Sequence, residues 1–235
     1  MISLYQLPTA KDKQYSLSPF CAKLELYLKY MNIPYEAHYN FEFNKSPTGK
    51  MPFIQTQGKK FADSALIIEM LEDEGGNSID EHLTTEQKAQ AWAFIKMCEE
   101  SLYWFGVYGR WIDRDNTVAW KKLLCESSGM PKFMVTMLYP AMKRGVAKQL
   151  KGQGTTILSN REIYHKAEKD IKAISSFLDG REYFFNDKVS LIDIVAYSFL
   201  VMFRDGTCGN RLQNIVEQNS LDSFISNMSS VLANN

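Results

Sequence analysis

The first third of the chain switches repeatedly between a two-residue and a 3.6-residue hydrophobic period. Residues 2–7 (ISLYQL) alternate as a strand does, whereas 18–31 bring Phe20, Leu24, Tyr27, Leu28 and Met31 onto one helical face. PYEAHYNF (34–41) reads as a second strand, PFIQT (52–56) as a third, and KKFA (59–62) as a short fourth after a turn at Gly58. DSALIIEMLEDE (63–74) then returns to the helical period. The order β-α-β, β-β-α predicts a small mixed sheet with helices packed against it.

The pattern changes at GGNSIDEHLTTEQ (75–87), a polar stretch that opens on two glycines. Beyond it the strand signals largely disappear. Trp92, Ile95, Cys98, Leu102 and Phe105 predict one long helix from Thr85 to about Ile112, and Ile163, Ala167, Ile171, Ile174 and Leu178 predict another. The expected organisation is an α/β domain over 1–76 close to the thioredoxin pattern, a linker at 77–84, and an all-helical domain over 85–235, with no internal repeat.

Composition narrows the function classes. Apolar residues make up 45% and charged residues 23% of the 235, which is ordinary for a soluble globular protein. Lys+Arg and Asp+Glu are both 27, so bulk charge recruits neither nucleic acid nor an anionic membrane. The most apolar stretch, LIDIVAYSFLVMF (191–203), is too short to span a bilayer and carries Asp193, so a buried helix is expected. The N-terminus MISLYQLPTAKDK lacks the pattern of a signal peptide. Four scattered cysteines without a C-x-x-C pair, and three histidines without ligand spacing, predict a reduced, cytoplasmic protein with no metal.

Candidate chemistry lies at three places. SLSPFC (16–21) sets Ser18 three residues before Cys21 at a helix start, where a hydroxyl either caps the helix or serves thiol chemistry. GKMPFI (49–54) has Met51–Pro52 before a strand, either an ordinary trans turn or a cis bond that frees the Met51 backbone to pair with an extended ligand. FADSALIIEML (61–71) has Asp63 and Ser64 at a helix start, where they cap it or hold a ligand's ammonium and carboxylate. A fourth helix start, Ser190-x-x-Asp193, is a capping box and is assigned to folding.

In this order, S-x-x-C, M-P and D-S resemble the N-terminal domain of glutathione transferases, especially the serine-type delta and theta classes. SLSPFCAKLELYLKYMNIPYE, GKMPFI, MCEESLYWFGVYGRWID and SFLDGREYFFNDKVSLIDIVAYSFL together are similar to the failed-axon-connections branch of that superfamily, a relative of the metaxins.

The resemblance implies a glutathione-transferase-like fold, with glutathione as cosubstrate and a small hydrophobic electrophile as its partner. It implies that Ser18 donates a hydrogen bond to the glutathione sulfur, that Met51 beside Pro52 pairs with the cysteinyl part, and that Asp63 and Ser64 hold the γ-glutamyl end. Lys50 is in reach of a ligand carboxylate, though a solvated surface lysine is the simpler reading. Ser16 and Tyr5 are rival hydroxyls. The loop PTAKDKQYSLS (8–18) is longer than the usual turn, so it either covers the site or moves the serine. LYWFGVYGRW (102–111) divides between core packing and the wall of an electrophile pocket.

The same resemblance implies a homodimer that pairs the helix at 64–73 with the first long helix after the linker. On that long helix Trp92, Phe94, Phe105, Tyr108 and Trp111 cannot all face one side. The contrasting function is a non-catalytic interaction protein with an idle pocket.

Overall fold

A computed structural model describes residues 1–9, 13–185 and 188–233; residues 10–12 of the loop at 8–18 lie outside the described residues. Four strands, β1 (Ile2–Gln6), β2 (Tyr35–Tyr39), β3 (Phe53–Thr56) and β4 (Lys59–Ala62), form one sheet in the order β2-β1-β3-β4. β1 pairs parallel with β2 and antiparallel with β3, and β3 pairs antiparallel with β4. Helices α1 (Pro19–Tyr30) and α2 (Ser64–Gly75) pack against this sheet. The alternation of β1 explains why: Ile2, Leu4 and Gln6 are buried while Ser3 and Tyr5 are only partly covered.

From Thr85 onward the described residues are helical: α3 (Thr85–Met97), α4 (Tyr103–Trp111), α5 (Thr117–Ser127), α6 (Lys132–Gln153), α7 (Asn160–Leu178), α8 (Leu191–Arg204), α9 (Asn210–Gln218) and α10 (Asp222–Ala233). The axis of this half is α8, buried continuously from Ile192 to Phe203 and packed on α1, α3, α9 and α10. No helix of the described residues is long and apolar enough to cross a membrane.

The single helix expected from Thr85 to about Ile112 is instead broken by a π-helical turn over Cys98–Leu102. A π turn inserts an extra residue into the helical repeat and rotates the helix beyond it. That rotation turns Phe105 and Tyr108 into the core, while Phe94 and Trp111 pack against it; of the five aromatics expected to divide between two sides, only Trp92, at 54% exposure, stays outside. Gly106 and Gly109 permit the close approach of α4 to the end of α8 and the turn after it. A Cβ on Gly106 would sit 2.9 Å from the Phe203 ring, and one on Gly109 only 2.1 Å from the Cys208 carbonyl oxygen.

Residues 76–84, between α2 and α3, hold no helix or strand but are tightly tied down. Ile79 and Leu83 are buried, the Ile79 amide donates to Glu72 (3.1 Å), and Asp80 accepts from the Leu191 amide at the start of α8 (2.8 Å). The box at Ser190 and Asp193 forms as expected: Asp193 is fully buried and accepts from the Ser190 amide (2.8 Å), the Ser190 hydroxyl (2.5 Å) and the Phe184 amide (2.8 Å).

Candidate functional site at the sheet edge

Strand register brings the three sequence motifs to one edge. Tyr5 pairs with Phe53 and Phe53 with Ala62, so the C-terminal end of β1, the Met51–Pro52 entry to β3 and the Asp63 exit from β4 lie side by side. Both α1 and α2 begin there, each offering its free amides and the positive end of its dipole.

Ser18 is the N-cap of α1, half-buried, its Oγ accepting from the Cys21 amide at 3.5 Å. Pro19 follows at the first helical position, where its fixed φ and missing N–H cost nothing. Cys21 is fully buried in a small cluster with Met51 and Phe53, and burial pushes its thiol up to about 11, so it stays protonated and inert.

Of the rival hydroxyls, one is buried and hydrogen-bonded and the other belongs to a stacked ring. Ser16 is fully buried, donates to the Leu7 carbonyl (2.8 Å) and accepts from the Ser18 amide (3.3 Å). The ring of Tyr5 is stacked between His38 (4.7 Å) and Phe53 (4.5 Å), an aromatic row across three strands that accounts for it by packing. The described part of the 8–18 loop is anchored at both ends: Ser16 and Leu17 bond back to Leu7 and Pro8 just after β1, while Lys13 pairs with Asp205 (2.9 Å) and the Tyr15 hydroxyl donates to the same carboxylate at the end of α8.

Met51 and Pro52 are buried and joined by a cis peptide bond. Lys50 beside them is exposed. Asp63 is exposed and caps α2, one carboxylate oxygen accepting from the amides of Ala65 (2.9 Å) and Leu66 (3.3 Å). Its backbone sits at φ 73°, ψ 115°, a region that a residue with a Cβ rarely occupies, and such outliers gather at ligand sites. Ser64, the first residue of α2, is 4% exposed.

Behind this edge lie charges that the sequence pattern did not reveal. Lys23 on α1 is 2% exposed and pairs with Glu99 of the π turn (2.6 Å), whose other oxygen takes Lys96 (3.3 Å). Desolvation pulls the Lys23 pKa down, Glu99 opposes it, and Asp63 adds a smaller upward pull. Arg110 of α4 reaches the Leu17 carbonyl, one residue before Ser18, at 2.8 Å. Polar residues on mostly apolar helices give no distinguishing period, so nothing in the chain marks Lys23, Glu99 or Arg110.

An apolar wall stands beside Ser18. Phe20 meets Tyr103 edge-on at 5.0 Å and Phe199 at 5.7 Å, and Tyr103 in turn meets Trp104 at 5.0 Å. Between α1, α4 and α8 is a cavity of about 20 Å³ bordered by Pro19, Tyr103, Gly106, Val107 and Arg110. A larger groove of about 520 Å³ lies far from this edge, on α7 and α9, lined by Arg161, His165, Glu168 and Arg211.

Residues 19–116 match the family model of the glutathione S-transferase N-terminal domain, and 167–228 that of the glutathione S-transferase C-terminal domain. The isoprene-epoxide–glutathione S-transferase of Rhodococcus sp. (strain AD45) is 32% identical over 78% of this chain and 79% of that protein. Failed axon connections of Drosophila melanogaster is also 32% identical, over 79% of this chain, which spans 46% of its length. Among solved structures, a glutathione S-transferase of Ceriporiopsis subvermispora in complex with glutathione superimposes with a TM-score of 0.63 over 100% of this chain and 99% of that one, at 17% identity. The fold, the two family matches and the Rhodococcus relative agree: the chain belongs to the glutathione S-transferase family.

Proposed function

We propose that this protein binds glutathione at the sheet edge where α1 and α2 begin, and activates its thiol for attack on a hydrophobic electrophile. The observation that carries this reading is the meeting of two helix N-termini at one edge, one capped by Ser18 and the other by the strained Asp63. Ser18 donates a hydrogen bond to the sulfur and favours its thiolate; of the three candidate hydroxyls it is the one not already buried or stacked. Met51, held by Pro52, pairs its backbone with the cysteinyl part, Asp63 takes the ammonium with its uncommitted oxygen, and Ser64 takes the carboxylate at the start of α2. Lys50, exposed beside Met51, is in reach of a second ligand carboxylate. Phe20, Tyr103, Trp104 and Val107 supply the wall against which the electrophile lies. A solved relative holding glutathione, and another named for joining it to an epoxide, support the same reading.

In this reading residues 1–76 bind glutathione, 85–235 face the electrophile, and 77–84 join the two. All four cysteines are free, in keeping with a reduced cytoplasmic setting. Leu66 of α2 and Trp92 of α3, 61% and 54% exposed, lie on the two helices that a homodimer would bring together.

A second reading, a non-catalytic interaction protein with an idle pocket, is favoured by the narrow cavity beside Pro19, which has room for about one water. Turnover separates the two. Incubation with glutathione and an epoxide or activated aryl halide should yield the thioether in wild type and less in Ser18→Ala; no product from wild type that binds glutathione would favour the second reading.

A further inference from the structure

Arg110 is a cation without an anion. It lies in the last turn of α4 with 7% exposure. One terminal nitrogen donates to the Leu17 carbonyl (2.8 Å), the other rests on the Met202 thioether sulfur (3.3 Å), and the guanidinium lies over the Trp120 ring at 4.6 Å. Its Nε is buried with no partner, and among the described residues no carboxylate is within ion-pair distance. A carbonyl, a thioether, a ring face and the neighbouring Cys208 thiol, all neutral, compensate a buried guanidinium only in part, so this arrangement is strongly unfavourable unless an anion lies nearby.

The groups around Arg110 do not supply that anion. Tyr103 on its own helix and Tyr15 on the loop over α1 both have their phenols pushed up by burial and remain neutral. Burial likewise pushes Cys208, in the turn before α9, and Cys21, on α1, up to about 11. Asp205, at the end of α8, is already committed to Lys13 and Tyr15. Trp120 of α5 and Met202 of α8 carry no charge. From mildly acidic to mildly alkaline pH the charge of Arg110 therefore goes uncancelled, and through Leu17 it stands one residue from Ser18.

We propose that the buried charge of Arg110 and the N-terminus of α1 together favour an anion at the start of α1, and that this anion is the thiolate sulfur of bound glutathione. This rests on the glutathione reading above and deepens it. Ser18 contributes one hydrogen bond and the α1 dipole a partial charge, whereas Arg110 adds a full charge in a site largely closed to water, where Coulomb attraction is screened far less than in bulk. A nearby cation lowers a thiol pKa and raises the thiolate fraction at neutral pH. Arg110 acts through its charge and touches no reacting atom.

The test is the ultraviolet absorbance of thiolate in the protein–glutathione complex, titrated with pH against the complex with S-methylglutathione, which has no thiol. Wild type should titrate below free glutathione, and Arg110→Gln should raise the midpoint so that the thiolate fraction at pH 7 falls by about tenfold, with Arg110→Lys close to wild type. Met202→Glu covers the case in which Arg110→Gln fails to fold. It supplies the missing carboxylate in place, so it should raise the midpoint as well while keeping or improving the melting temperature. Glutathione bound with an unchanged midpoint in Arg110→Gln or Met202→Glu overturns the assignment of Arg110 alone. Absence of glutathione binding to wild type at millimolar concentration removes the glutathione reading and this inference with it.

Discussion

Two helices in this protein start on an aspartate and a serine, and the two starts are opposites. At α8 the carboxylate of Asp193 is fully buried and takes three donors, from Ser190 and Phe184, with the Asp80 carboxylate accepting from the next amide. At α2 the carboxylate of Asp63 is exposed, uses one oxygen for two amides, and sits on a backbone at φ 73°. Residue type is the same, so the chemistry of capping does not separate them. What separates them is completion: at α8 both carboxylate oxygens are bonded and hold the fold, whereas the α2 start keeps an unspent oxygen and a strained backbone, facing the cap of α1 across one sheet edge.

Asp193→Ala should break the first half of that contrast with the largest effect. It strands the Phe184 and Ser190 donors in a dry interior, and removal of one partner from such a buried network costs about 3–5 kcal/mol. Chemical unfolding at neutral pH measures it, and a midpoint within error of wild type contradicts the structural role. Ser18→Ala should cost about 1 kcal/mol of stability as a lost cap and cut glutathione-conjugating turnover by ten- to a hundredfold, the worth of one hydrogen bond to a charged group at about 1.5–3 kcal/mol. An unchanged rate there, with a drop in Ser16→Ala or Tyr5→Phe, would assign the wrong hydroxyl.

The carboxyl of Asp193 also titrates differently from an exposed one, because burial lifts it from 3.8 to about 6 against its three donors. A native pKa above the unfolded one means that the folded state holds its proton longer. The resulting stability is present below about pH 4 and lost as pH rises through about 6. Asp193→Asn, which cannot ionise, should therefore gain on wild type in melting temperature between pH 4 and 7. A pH-independent difference would show that burial does not control this carboxyl. The smallest stability effect belongs to the surface: Leu66→Lys or Trp92→Lys should change folding stability by less than about 0.5 kcal/mol while shifting a dimer to the 27.0 kDa monomer in light scattering. A wild type that already scatters as a monomer removes the dimer.

Most of the sheet edge was legible in the sequence. β1, α1, β3, β4 and α2 fall within a residue or two of the periods that predict them, because each is a short element with one apolar face and a clear stop: Gly58 between β3 and β4, and the glycine pair at 75–76 that ends α2. The S-x-x-D box at α8 was legible for the same reason, as a local device. The π turn was not. Cys-Glu-Glu-Ser-Leu continues a helical pattern, and only the fit of Glu99 to Lys23 and of Phe105 to the core rewards the extra residue. Arg110 escaped because a lone arginine in an aromatic stretch reads as a solvated end, whereas α5 and the turn after α8 bury it. The small cluster of Trp120, Leu124, Val135 and Tyr139 that packs α5 and α6 onto Leu17 is likewise a product of tertiary packing.

The central claim, that the α2 start is kept incomplete for a ligand, is tested most directly by calorimetric titration of wild type and Asp63→Gly with glutathione. Glycine accepts the positive φ without strain and costs little as a cap, so the variant should fold with stability within about 1 kcal/mol of wild type. Its glutathione affinity should fall by about tenfold or more through loss of the contact to the ligand ammonium. Wild-type binding at one site per chain with that loss in Asp63→Gly is the predicted result. Equal affinity in the two proteins, or no heat from wild type up to millimolar glutathione, would contradict it.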